Sequence, residues 1–105
     1  MGSIACYCRV STDAQNMDRQ LEATREYAQR EFDASVSDLE IYRDKSTGTN
    51  TNRDGYKTMI DDAERGVLDA VVVNSVSRIC RSISDLERTA THLEDYGVEL
   101  HIVGE

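Results

Sequence analysis

Ala70-Val71-Val72-Val73 is an unbroken apolar run that ends at Asn74. It has no polar alternation and three β-branched residues, so it reads as a strand covered on both faces. Such a strand needs a layer above and a layer below. Upstream, Tyr56, Met59, Ile60 and Ala63 recur at helical spacing, and Gly66 suits the C-terminal cap of that helix. Downstream, Ile83, Leu86, Ala90 and Leu93 mark a second helix, with Ser84 and Glu87 spaced as a capping box and Gly97 at its end. Further out, Ile4 to Val10 reads as a strand, and Met17, Leu21, Thr24, Ala28 and Phe32 define a long helix. Leu39 to Tyr42 reads as a short strand, residues 44–54 (DKSTGTNTNRD) as a flexible polar loop, and Val98 to Val103 as a closing strand. The order β-α-β-α-β-α-β predicts an α/β fold: a mainly parallel four-stranded sheet in three layers, with right-handed crossovers. No repeat, low-complexity tract or linker divides the 105 residues, which suit one domain.

The formal net charge is -8. A uniformly acidic surface would repel nucleic acid, but a sum is not a map, and a local arginine cluster can sit on an acidic body. Lys45 and Lys57 are the only lysines. An acid-rich, lysine-poor surface suits a halophilic protein, in which salt screens the repulsion, and equally an ordinary acidic cytosolic one. A stability curve against KCl separates the two. The three cysteines are odd in number, and no basic-then-apolar signal opens the chain, so a reducing cytoplasm is expected. No apolar run is long enough to cross a membrane.

In layered α/β folds, sites lie beyond the carboxyl ends of the strands. Two polar segments fall there, Arg9-Val10-Ser11-Thr12 and Asn74 to Ser82, and they converge if their strands are neighbours. Alternation puts Arg9 and Ser11 on one side of the strand, with Cys8 and Val10 on the other. A serine hydroxyl is a weak nucleophile until its surroundings activate it, and Arg9 is placed to stabilise the developing charge. Taken alone, Ser11-Thr12 reads more simply as a strand end and helix cap, and Thr12 with Gln15 has capping-box spacing. Arg78 and Arg81 share a face of a helical turn and form a phosphate clamp, while Ile79, Cys80 and Ile83 hold the segment to the body. Arg53, at the end of the polar loop, reads equally as a loop arginine closing over a phosphate and as a surface charge flanking a helix. Cys6 and Cys8 share a face with Ile4 and Val10 and read as buried apolar residues. Cys80, His92 and His101 lack the spacing of a zinc site, and Asp61-Asp62 reads as a solvated helix face.

Three blocks resemble the catalytic domain of the serine site-specific recombinases of the resolvase/invertase type. They are Tyr7-Cys8-Arg9-Val10-Ser11-Thr12 with Gln15 and Gln20, Asp44-Lys45-Ser46-Thr47-Gly48 leading to Asn52-Arg53-Asp54-Gly55, and Val71-Val72-Val73 leading to Ser77-Arg78-Ile79-Cys80-Arg81-Ser82. They cover nearly the whole chain in the family's order. The resemblance implies a flavodoxin-like strand order 2-1-3-4 and strand cleavage through a 5′-phosphoserine on Ser11. It assigns Arg9, Arg78 and Arg81 to the active site, and Arg53, Gln15, Gln20, Tyr7, Asp69 and Ser77 to phosphate-binding or supporting positions. It implies no cofactor, no metal and no ATP. The partners it implies are double-stranded DNA and, in the full-length protein, a homodimer and a synaptic tetramer; the isolated domain is expected to be monomeric or weakly associated, and inactive alone.

Two departures stand out. Ser77 occupies a position where the family usually has aspartate, which leaves the proton donor open. The family's long dimerisation helix and DNA-binding domain are not among these 105 residues. Alternatives are a non-catalytic recombinase-like module and a serine transposase domain. A cysteine phosphatase needs arginine six positions after its cysteine; Thr12, Ala14 and Leu86 stand there instead. A nucleotide sensor on this fold would need a glycine-rich phosphate loop, which is lacking.

Overall fold

The structure, a computed structural model, describes residues 2–10, 14–47, 50–51, 54–74 and 83–103. The elements are β1 (Ser3–Val10), α1 (Ala14–Phe32), a 3-10 turn (Val36–Asp38), β2 (Leu39–Thr47), β3 (Asn50–Thr51), α2 (Asp54–Glu64), β4 (Leu68–Val73), α3 (Ile83–Asp95) and β5 (Glu99–Ile102). The sheet order is β3-β2-β1-β4-β5. The four longer strands are mutually parallel and follow the expected 2-1-3-4 order, while β3 is a short antiparallel addition to β2.

The apolar runs become buried strands because both faces of the sheet are covered. Ala5 and Tyr7 of β1 join Val71 and Val73 of β4 beneath Met59 and Ala63 of α2 and Leu93 of α3. Ile4, Cys6, Ala70 and Val72 point the other way and pack against Ala28 of α1. Cys6 and Cys8 are fully buried. Burial pushes both thiols up, Cys8 to about 12 with the neighbouring Cys6 adding to the shift, so both stay protonated and inert at neutral pH.

Helices α2 and α3 return to the sheet through the same device. Gly66 and Gly97 adopt φ 79° and 76°, in the left-handed region that glycine enters without a Cβ clash. The N–H of Val67 bonds the carbonyl of Asp62, and that of Val98 the carbonyl of Leu93, closing a Schellman turn at each end.

Several sequence expectations change. β2 does not stop at Tyr42 but continues through the first part of the polar stretch, because β1 runs beside it and pairs Arg9 with Asp44 and Val10 with Lys45. Ser46 and Thr47 then pair back with Thr51 and Asn50, so residues 44–54 are not simply a loop. Ser84 lies inside α3, which begins at Ile83, and so is not its N-cap. Asp62 is not simply solvated, since it accepts the Tyr42 hydroxyl at 2.6 Å and so ties α2 to β2.

Gly55, in the first turn of α2, allows that helix to approach β2 closely. An added Cβ would lie 2.5 Å from the Arg43 carbonyl oxygen and 3.0 Å from Asp44 Oδ1. Gly55→Ala is therefore expected to lower the unfolding free energy by about 1–3 kcal/mol, read from urea denaturation. Unchanged stability would mean that α2 does not sit this close to β2.

Candidate active site

β1 and β4 are parallel neighbours, with Tyr7 opposite Val73. β4 ends there, whereas β1 continues to Val10. The chain therefore leaves two adjacent strands at the same edge of the sheet, once toward residue 11 and once toward residues 75–82. The serine and arginine candidates Ser11, Arg53, Ser77, Arg78 and Arg81 lie outside the described residues, while the mount from which these segments depart is described.

Where β1 outruns β4, the Arg9 backbone has no strand partner on that side among the described residues. Gln20 of α1 fills the role. The Arg9 N–H donates to Gln20 Oε1 at 3.2 Å, and Gln20 Nε2 donates to the Arg9 carbonyl at 3.2 Å. A side-chain amide carries one acceptor and a donor beside it, so it can stand in for a peptide group of the absent strand. Gln20 is 1% exposed. The Arg9 side chain is half-buried, on the strand face that Ala5 and Tyr7 share beneath α2 and α3.

On the opposite side of β1 stands Asp44, a carboxylate only 4% exposed. Its oxygens accept the Tyr7 hydroxyl at 2.6 Å, the Gly55 N–H at 2.7 Å and the Tyr56 N–H at 2.9 Å. The two amides belong to the first turn of α2, where the helix leaves N–H groups without intrahelical partners and its dipole favours a negative charge. The Tyr7 and Tyr56 rings meet edge to face, centroids 5.9 Å apart. Asp44 thus joins β1, β2 and α2 near the carboxyl end of β1.

Of the site residues expected from the sequence, the structure brings Arg9 and Gln20 together, Tyr7 lies two positions back on the same strand and bonds Asp44, and Gln15 lies in the first turn of α1. Tyr7 is fully buried, so it supports the site from beneath rather than lining it. Asp69 is not part of this group. It sits near the amino end of β4 and accepts the Gly2 N–H at 3.0 Å, at the edge of the sheet away from the β1 exit. Sequence reasoning did not single out Asp44 or Gly55 as site residues. Both stand in the second block of the family resemblance, but the contact between them becomes visible only when the chain brings them together. Among the described residues, no group of three or more His, Cys, Asp or Glu side chains gathers as a metal site.

Residues 4–105 match the family described as "Resolvase, N terminal domain". A resolvase from Clostridium perfringens (strain 13 / Type A) is 30% identical over 94 residues, covering 90% of this chain and 45% of that protein. The transposon Tn21 resolvase of Escherichia coli is 35% identical over 99 residues, covering 94% and 46%. This chain therefore spans about half the length of these curated relatives. Among solved structures, a resolvase family site-specific recombinase from Streptococcus pneumoniae superposes with a TM-score of 0.75 at 26% identity, over 98% of this chain and 72% of that one. The N-terminal catalytic domain of TP901-1 integrase shares the fold, with a TM-score of 0.76 at 24% identity over 96% and 77%.

The Gln20 contact yields a direct test. Gln20→Leu strands a donor and an acceptor of Arg9 and is expected to cost about 1–3 kcal/mol of stability. Hydrogen exchange at the Arg9 amide should accelerate more than exchange in the centre of β1. Unchanged protection of that amide would show that Gln20 does not hold the strand end.

Proposed function

Since the chain belongs to the resolvase N-terminal domain family, the catalytic domain of serine recombinases, we propose that it cuts and rejoins DNA with Ser11 as nucleophile. The observation that carries this reading is the parallel adjacency of β1 and β4, whose carboxyl ends lie at the same edge of the sheet; Ser11 follows the first strand in the sequence, and Arg78 and Arg81 follow the second.

The Ser11 oxygen attacks the scissile phosphorus, a 5′-phosphoserine bond forms, and the bond to the 3′ oxygen breaks. The serine proton goes to a base and the departing 3′ oxygen takes up a proton to leave as a hydroxyl. In rejoining, a 3′ hydroxyl attacks the phosphoserine and the same steps run backward. The phosphoester retains the bond energy, so the exchange runs without ATP. Arg9, Arg78 and Arg81 meet the charge that builds on the non-bridging oxygens, the work a metal ion does in other phosphoryl-transfer sites. Arg53 adds a further guanidinium to that phosphate. Ser77, where an aspartate is usual, keeps a hydrogen-bonding group but no negative charge, so the proton passes through another group.

The substrate is double-stranded DNA, and the assembly is a dimer that pairs into a synaptic tetramer in the full-length protein. With a net charge of -8, the domain alone binds DNA weakly. The Ser77 replacement favours one rival reading, a module that pairs with an active partner without cutting.

A fusion of this chain to the downstream half of the Tn21 resolvase, incubated with that protein's recombination site, separates the two. The fusion is expected to form a covalent protein–DNA species that Ser11→Ala abolishes. Undiminished cleavage by Ser11→Ala, or no covalent species from the parent fusion, would overturn the catalytic reading.

A further inference from the structure

Arg25 of α1 and Arg43 of β2 are exposed, and the fold sets them on one flank. Leu39 and Ile41 of β2 pack into the cluster around Ala28 of α1, and strand alternation puts Arg43 on that same side. The register places Arg43 opposite Cys8 of β1. On α1, Arg25 follows Thr24, whose hydroxyl lies beside the same thiol. Burial raises the Cys8 thiol, and the charges of Arg43 and Arg25 both pull against that rise, so both guanidinium groups stand near one sulfur. Like charges so placed repel each other. The chain carries 20 acidic residues against 12 basic ones, so carboxylates to relieve that repulsion are plentiful. Yet neither arginine forms an ion pair among the described residues. Glu22 stands three positions before Arg25, a spacing at which helical ion pairs form, and makes no such bridge. A charge on β2, an edge strand up to Lys45, also discourages pairing with another chain. That accounts for Arg43 but not for a second arginine brought to it from a helix. Two guanidinium forks from different elements can hold one phosphate by its non-bridging oxygens.

We propose that Arg25 and Arg43 form a second phosphate seat, which holds a backbone phosphate of the DNA away from the one that is cut. The proposal rests on the DNA-cutting reading above and adds a place where the same substrate is gripped. The seat is level with Cys8, one residue before Arg9, and on the opposite face of the sheet. A duplex laid across the carboxyl edge therefore meets cations on both sides of β1. Phosphate contacts carry no sequence information, but they fix the register and orientation of the duplex. The pair takes no part in the bond changes.

The test is the salt dependence of DNA affinity, measured on the same fusion carrying Ser11→Ala so that the recombination site is bound without being cut. Replacing both arginines, Arg25→Gln with Arg43→Gln, is expected to reduce the slope of log affinity against log salt by about 0.9, the share of one phosphate, and to weaken binding about eightfold at about 0.1 M salt. Arg43→Lys keeps the charge and should keep the slope. Arg30→Gln removes an equal charge from the last turn of α1, at the far end of that helix, and should leave the slope unchanged. An unchanged slope in the double variant would overturn the seat, and so would an equal fall in Arg30→Gln, which would reduce the effect to overall charge. A fall of about twice the size would put the two arginines on separate phosphates and overturn the shared seat. The readout is binding alone. A parent fusion that binds its site but forms no covalent species would remove the catalytic reading and leave this result standing.

Discussion

A central strand that runs past its neighbour creates the demand around which this end of the molecule is organised. Among the described residues, β1 has strand partners on both sides up to Tyr7 and on one side only beyond it. Buried peptide groups without partners are costly, so the strand end needs substitutes for the missing ladder. Gln20 supplies them from α1, and on the other side β2 continues far enough to keep Arg9 and Val10 paired. The result is an extended segment held from both sides as far as Val10. On the proposed reading, a nucleophile that follows such a support keeps its direction, whereas one on a free loop would have to find it at each turnover.

The chain is acidic overall, yet the carboxylate nearest the strand end, Asp44, is turned inward and used up by three donors. The thiols of β1 are likewise removed from chemistry. They face α1, burial raises their pKa, and the Thr24 hydroxyl, which bonds the Gln20 carbonyl at 2.8 Å, lies beside them. Both groups that could compete with a serine or repel a phosphate are thus committed to packing.

How much of this the sequence disclosed depended on whether the signal was local. The Ala70–Val73 run and the stretch Ile4 to Val10, rich in buried residue types, disclosed two central strands, because burial on both faces leaves a mark in nearly every residue. Gly66 and Gly97 marked helix ends because only a positive φ closes those turns. The continuation of β2 through Asp44 and Lys45 left no such mark: its cause is backbone pairing with β1, to which side-chain polarity is indifferent. Asp44 itself looked like loop polarity, since its partners stand 37, 11 and 12 positions away. Gln20 was legible through the family resemblance, but its task was not, because the gap it fills exists only once β4 ends short of β1. Ser84 misled for the opposite reason: its spacing to Glu87 satisfied a local pattern that α3 overrides by starting at Ile83.

The central claim is that Ser11 and the Arg78–Arg81 pair share one phosphate pocket on the Arg9 side of β1. An experimental structure of the fusion held on its DNA site with Ser11→Ala would test this most directly. The expected result is a single scissile phosphate within hydrogen-bonding reach of Arg9, Arg78 and Arg81, with the Cβ of residue 11 facing it. Guanidinium groups of Arg78 and Arg81 on the α1 face of the sheet, or residue 11 turned into the core beside Cys8, would contradict it.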